Sequence, residues 1–153
     1  MPELRPILLV EDSPRDLELT LAALEKCQLA NEIVVARDGA EAIDYLFGTG
    51  IHEGRPSGDP TVVLLDLKLP KIDGLEVLER VKKDERLHHI PIVMLTSSRE
   101  EQDLVRSYEL GVNAFVVKPV AFDEFFAAIK EIGVFWALLN EPPPHRGGWP
   151  SNG

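Results

Sequence analysis

Five side chains of this sequence stand where short apolar runs end. Asp66 follows Val62-Val63-Leu64-Leu65, and Glu11-Asp12 closes Ile7-Leu8-Leu9-Val10. Thr96 and Lys118 end two further runs, Ile92–Leu95 and Ala114–Val117. Ligands of open α/β sheets bind outside the carboxyl ends of the strands. If these runs are parallel strands, one sheet edge receives three carboxylates, a hydroxyl and an ammonium. Clustered carboxylates repel one another unless a cation lets them ionise together. Mg²⁺ prefers oxygen ligands, keeps several waters and shares phosphoryl oxygens with a substrate. A carboxylate is also a competent nucleophile toward an activated phosphoryl donor held in line. The set is the chemistry of a divalent cation beside a phosphoryl group.

The elements that would position these residues are legible. Runs at Ile7–Val10, Ile33–Ala36, Val62–Leu65, Ile92–Leu95 and Ala114–Val117 are short, β-branched and unbroken. They read as strands covered on both faces. Amphipathic stretches lie between them. Ser13-Pro14 reads as an N-cap and first helical residue, opening a helix to about Leu29. Asp38 with Glu41 forms a capping-box pattern for a helix ending near Phe47. A third helix spans about Leu75 to Asp84. Ser98 with Glu101 opens a fourth, which should stop before Gly111 at a C′ position. A fifth runs from about Phe122 to Leu139. Strands alternating with helices predict a five-stranded parallel sheet, doubly wound in the α/β class. The segment Gly48 to Pro60 reads as a polar surface loop, and residues 141–153 as a disordered tail after a proline stop.

The 153 residues suit a single core, here residues 1–140. The formal net charge of −10 disfavours a nucleic-acid footprint and an anionic membrane surface. One cysteine, Cys27, excludes an intramolecular disulfide. Absence of a signal-peptide pattern and of a transmembrane-length run gives a cytoplasmic reading. His88-His89 lacks partners at metal-ligand spacing and reads as loop.

The pieces VEDS (10–13), LLDLKLPKIDG (64–74), LTSS (95–98) and NAFVVKP (113–119) together resemble the receiver domain of two-component response regulators, over about Ile7 to Leu139. The resemblance implies a flavodoxin-like fold of βα repeated five times. It implies a phosphoacceptor at Asp66 and Mg²⁺ bound by Glu11, Asp12, Asp66 and the backbone carbonyl of Lys68. Thr96 would donate its hydroxyl to a phosphoryl oxygen. Lys118 would stabilise phosphoryl charge, aimed inward by a Lys118-Pro119 cis peptide. Phe115 matches the family's rotating aromatic switch. Gly74 would serve the backbone of the Ile72-Asp73-Gly74 turn.

The long loop before Asp66, the SREEQD opening of the fourth helix and the lack of an output domain resemble the single-domain regulators of bacterial phytochromes. The donor implied is a sensor histidine kinase, a bacteriophytochrome on that similarity. Output to an unknown downstream protein would be by contact. Such a protein is no enzyme beyond its own Mg²⁺-dependent phosphorylation and dephosphorylation. A flavodoxin-type binder would need a phosphate loop where Glu11-Asp12-Ser13-Pro14 stands. A haloacid-dehalogenase-type phosphatase would need its Asp nucleophile after the first strand. A pseudo-receiver that only docks remains the alternative. Finally, Val134 to Leu139 is apolar for six residues running, so Phe135, Trp136, Leu138 and Leu139 are expected to bury a second helix face in a homodimer.

Overall fold

The computed structural model describes residues 5–27, 29, 31–54, 59–112 and 114–133. Five strands and five helices alternate. They are β1 (Ile7–Val10), α1 (Pro14–Lys26), β2 (Ile33–Ala36), α2 (Gly39–Phe47), β3 (Val62–Asp66), α3 (Gly74–Lys83), β4 (Ile92–Thr96), α4 (Arg99–Ser107), β5 (Ala114–Val117) and α5 (Phe122–Glu131). The sheet is parallel throughout, in the order β2-β1-β3-β4-β5. From β1 the chain winds outward to β2, then crosses back to β3 on the other side. That reversal opens a crevice at the carboxyl ends of β1 and β3, where such sheets take ligands.

Strand alternation builds two cores. Leu8, Val10, Val63, Leu65 and Met94 face α2, α3 and α4, against Leu46, Leu78 and Val105 among others. Ile7, Leu9, Leu64, Leu95 and Val116 face α1 and α5, against Leu24, Phe125 and Ile129. Each large apolar side chain so buried contributes about 1.5–3 kcal/mol. The central strands β1, β3 and β4 are buried at every position. The outer strands depart from the two-sided burial expected. In β2, Ile33, Val34 and Val35 are only half-buried, and in β5 Val117 is exposed. An edge strand has a neighbour on one side only, so helices cover it less completely.

The starts of α1, α2 and α4 follow the predicted caps, α3 adds a cap at Asp73 that was not predicted, and α5 starts without a side-chain cap. Ser13, Asp38, Asp73 and Ser98 each accept a hydrogen bond from the N–H three residues on. Glu41 and Glu101 reach back past their caps, accepting from the N–H of Arg37 at 3.1 Å and of Ser97 at 2.7 Å. Helix ends depart more. α1 stops at Lys26, short of Leu29. α4 stops at Ser107, and the left-handed residue that follows is Glu109 at φ 55°, ahead of Gly111. α5 stops at Glu131, with Gly133 at φ 82° just beyond, and the rest of the stretch expected to continue to Leu139 lies outside the described residues. Glycine adopts this conformation without Cβ strain and ends helices for that reason. The segment after α2 contains a 3₁₀ turn at Gly50–His52 within the expected loop. Among the described residues no helix is long and apolar enough to cross a membrane.

Candidate functional site

Register brings the polar strand ends together. Val10 pairs with Leu65 and Asp66 with Leu95. Glu11 extends the β1 ladder by one residue, its N–H donating to Ala36 O at 3.0 Å. The N–H of Lys118 donates to Thr96 O at 2.8 Å, tying the end of β5 to the end of β4. The Lys118-Pro119 peptide is cis.

One carboxylate oxygen each from Glu11, Asp12 and Asp66 lies within 4.8 Å of the others. Glu11 is fully buried and Asp66 nearly so, while Asp12 is half-buried at the rim. Glu11 Oε2 accepts from the N–H of Ser13 at 3.2 Å, but its Oε1 accepts no hydrogen bond. Burial and then the charge of Asp66 push the Glu11 carboxyl up to about 7, against an ordinary 4.5, although Lys118 pulls the other way. A buried carboxylate oxygen with no hydrogen bond, beside two more carboxylates, fits a hard divalent cation, which would add to the charge balance that Lys118 alone supplies. Such an ion would offset both the cost of burying the Glu11 charge and its repulsion from Asp66.

Lys118 is the counter-charge. Its Nζ lies 3.1 Å from Asp66 Oδ1, 3.1 Å from Asp16 Oδ2 and 3.5 Å from Glu11 Oε1. Burial alone would lower this ammonium's affinity for its proton. Asp66, followed by Asp16 and Glu11, outweighs burial and holds Lys118 above the usual lysine range. Thr96 is fully buried, and its Oγ accepts from Gln102 Nε2 at 3.4 Å.

Two glycines let backbones close in around the acids. A Cβ on Gly74 would lie 2.1 Å from the carbonyl oxygen of Asp66, and one on Gly39 would lie 1.6 Å from that of Ile72. Gly74 is therefore required for close approach, since its φ is not left-handed. Beside the acids, a groove of about 520 Å³ runs between the loop after β3 and α4, lined by Asp12, Lys68, Leu69, Pro70, Leu75 and Leu104. The ammonium of Lys68, one of the lining residues, lies 3.4 Å from Glu101 Oε2 on α4.

The family model described as response regulator receiver domain matches residues 7–130. The chain belongs to the response regulator receiver family. Its sequence is 41% identical over 130 residues to response regulator Rcp1 of Synechocystis sp., covering 85% of this chain and 87% of Rcp1. The bacteriophytochrome response regulator AtBRR matches in structure with a TM-score of 0.86 at 79% identity, over 92% of this chain and all of that one. The Mn²⁺-bound form of Rcp1 matches with a TM-score of 0.69 at 40% identity, over 87% of this chain and 94% of that one. The phosphorylated cyanobacterial phytochrome response regulator RcpA matches with a TM-score of 0.70 at 40% identity, over 88% and 94% respectively. The flavodoxin-like fold expected of a receiver is thus shown, and the acidic cluster has the oxygen donors and spacing that could hold a divalent metal ion.

In this receiver all five strand-end residues converge: Glu11, Asp12 and Asp66 on one another, Lys118 on two of them, and Thr96 on the adjoining strand end. Lys68 stands two residues beyond Asp66 with an exposed side chain. Phe115 lies apart, half-buried on β5 with the Arg106 guanidinium 4.4 Å from its ring centroid. Phe135, Trp136, Leu138 and Leu139 lie outside the described residues. The sequence reading missed Asp16, Gln102 and Arg106. Asp16 and Gln102 fall at ordinary first-turn helix positions, where acids and amides are common whatever they touch. Only the tertiary approach of β5 and β4 gives them partners.

Proposed function

We propose that Asp66 accepts a phosphoryl group from the phosphohistidine of a sensor histidine kinase, and that the modified receiver signals through protein contacts. The observation that carries this reading is the Asp66 carboxylate itself. It is nearly buried, shares its surroundings with two further acids and keeps an ammonium at 3.1 Å. An Asp66 oxygen attacks phosphorus, the phosphorus–nitrogen bond of the donor breaks, and the imidazole leaves with the bonding electron pair and takes up a proton. The product is an acyl phosphate. Lys118 faces the added phosphoryl oxygens and stabilises their charge. Thr96, already beside the site, turns its hydroxyl toward one of them.

Mg²⁺ is the proposed cofactor, held by Glu11, Asp12, Asp66 and the backbone carbonyl of Lys68, and when bound it neutralises charge on the phosphoryl oxygens. Oxygen-only donors at a site that keeps room for water suit this ion. The Mn²⁺-bound form of the relative Rcp1 supports a divalent ion of this size and charge. Phosphorylation and its hydrolysis are the only chemistry proposed for the protein itself.

The donor proposed is a bacteriophytochrome, in a cytoplasmic setting. Its support is the 79% identity with a bacteriophytochrome response regulator. Output is proposed at the face formed by α4, β5 and α5, where Phe115 repacks as Thr96 moves. The homodimer through Phe135, Trp136, Leu138 and Leu139 stays a proposal supported by the sequence pattern alone. Phosphotransfer tests the reading: radiolabel on an autophosphorylated bacteriophytochrome should move to the wild-type chain and not to Asp66→Asn. Label that reaches the Asn variant equally well refutes the acceptor.

A further inference from the structure

Among the described residues, Asp16 is the one carboxylate at Lys118 that lies outside the acidic cluster of Glu11, Asp12 and Asp66. It stands in the first turn of α1, its N–H held by Ser13 Oγ at 3.2 Å. Its Oδ2 accepts from Lys118 Nζ at 3.1 Å, joining α1 to the end of β5. An ammonium has three N–H donors. Asp16, Asp66 and Glu11 surround this one at 3.1, 3.1 and 3.5 Å. Two of those three are the groups that would ligate the cation.

A divalent ion entering among Glu11, Asp12 and Asp66 sets a second positive charge against Lys118. In a buried setting of low effective dielectric that repulsion is large. The ion also draws on the oxygens that Lys118 engages. Asp16 takes no part in the cluster, so its charge stays available to the ammonium. Its side chain is about a third exposed, at 31%, so an ion pair there is desolvated less than one beside Glu11.

We propose that Asp16 is a positioning residue for phosphoryl transfer: it draws the Lys118 ammonium toward α1 as the cation takes Glu11 and Asp66, so that cation and ammonium share the site. The inference rests on the proposed cation site at Glu11, Asp12 and Asp66. It differs from a role for Asp16 as an ordinary first-turn acid, which would touch helix stability and leave Lys118 out.

The test is a double-mutant cycle on Mn²⁺ affinity, measured by calorimetry with the full chain as wild type, Asp16→Asn, Lys118→Met and the double variant. Asp16→Asn is expected to weaken Mn²⁺ binding, and the loss should shrink by at least about threefold when Lys118 is already Met. Losses that agree within about twofold in both backgrounds, the range of independent sites, overturn the proposal. So does an Asp16→Asn variant that binds as wild type. Asp16→Glu keeps the charge and should recover affinity to within about twofold of wild type, and failure to do so also overturns it, even if Lys118→Met does not fold. Asp12→Ala separates the two levels. Undiminished Mn²⁺ binding by Asp12→Ala overturns the cation site and this inference together. Lost binding with an additive cycle overturns the role of Asp16 alone.

Discussion

Glu11→Gln is expected to stabilise the metal-free protein, and to do so only above the acid range. Glu11 is fully buried with one oxygen that accepts no hydrogen bond, and burial, then the charge of Asp66, push its carboxyl up to about 7 against an ordinary 4.5. Between these values the folded state binds the proton more tightly than the unfolded state, so stability falls as pH rises from 4.5 through 7. Above that window the folded protein carries the whole burden of the buried charge. The gap corresponds to about 3 kcal/mol at pH 8 and to less than about 1 kcal/mol at pH 5. Gln retains an acceptor for the Ser13 N–H and carries no charge. Urea denaturation with a chelator present should therefore show a gain near about 3 kcal/mol at pH 8, a midpoint shift of roughly 1–3 M. Saturating Mg²⁺ should narrow the difference, because a ligand that binds only the folded wild type raises its stability. An equal gain at both pH values, or none at pH 8, would refute burdened Glu11 as the cause.

The other predictions concern the cation, the loop and the lifetime of the modified state. Asp12→Ala should weaken Mg²⁺ binding by calorimetry at least about tenfold, since one of three clustered carboxylates is lost, and unchanged affinity would move the cation elsewhere. Gly74→Ala would force a Cβ toward the Asp66 carbonyl, so it should lower stability by about 1–3 kcal/mol and slow labelling by acetyl phosphate; a variant melting like wild type would show that the loop yields freely. Lys68→Ala removes the stem that pairs with Glu101 at the groove's edge, so hydrolysis of the acyl phosphate should accelerate in a mass-resolved decay assay, and an unchanged rate excludes shielding by that side chain.

Much of the fold was readable because the strands and most helix starts announce themselves locally. Four apolar residues in a row, as in Ile7–Val10, leave few alternatives to a buried strand, and Ser13-Pro14 or Asp38 with Glu41 fix helix starts by short-range hydrogen bonds. Helix ends carried weaker signals. Gly133 marks the end of α5, yet the apolar run beyond it reads as a continuing helix. The site acids and Lys118 were legible because strand ends of a parallel sheet converge on one edge whatever the side chains do. Asp16, Gln102 and Arg106 were not. Their partners Lys118, Thr96 and Phe115 lie on other elements, and nothing in a first-turn acid foretells an ammonium 102 positions away. Edge effects were also invisible, since the outer place of β2 follows from strand order and not from its composition.

The central claim is that Asp66 is a phosphoacceptor served by a divalent cation and Lys118. Intact-mass spectrometry after incubation with acetyl phosphate and Mg²⁺ addresses it most directly. The wild-type chain should gain the mass of one phosphoryl group, lose it on alkaline treatment as acyl phosphates do, and gain nothing when Mg²⁺ is chelated or Asp66 is Asn. Stoichiometric addition that persists in Asp66→Asn, or that proceeds equally well without a divalent cation, would contradict the account.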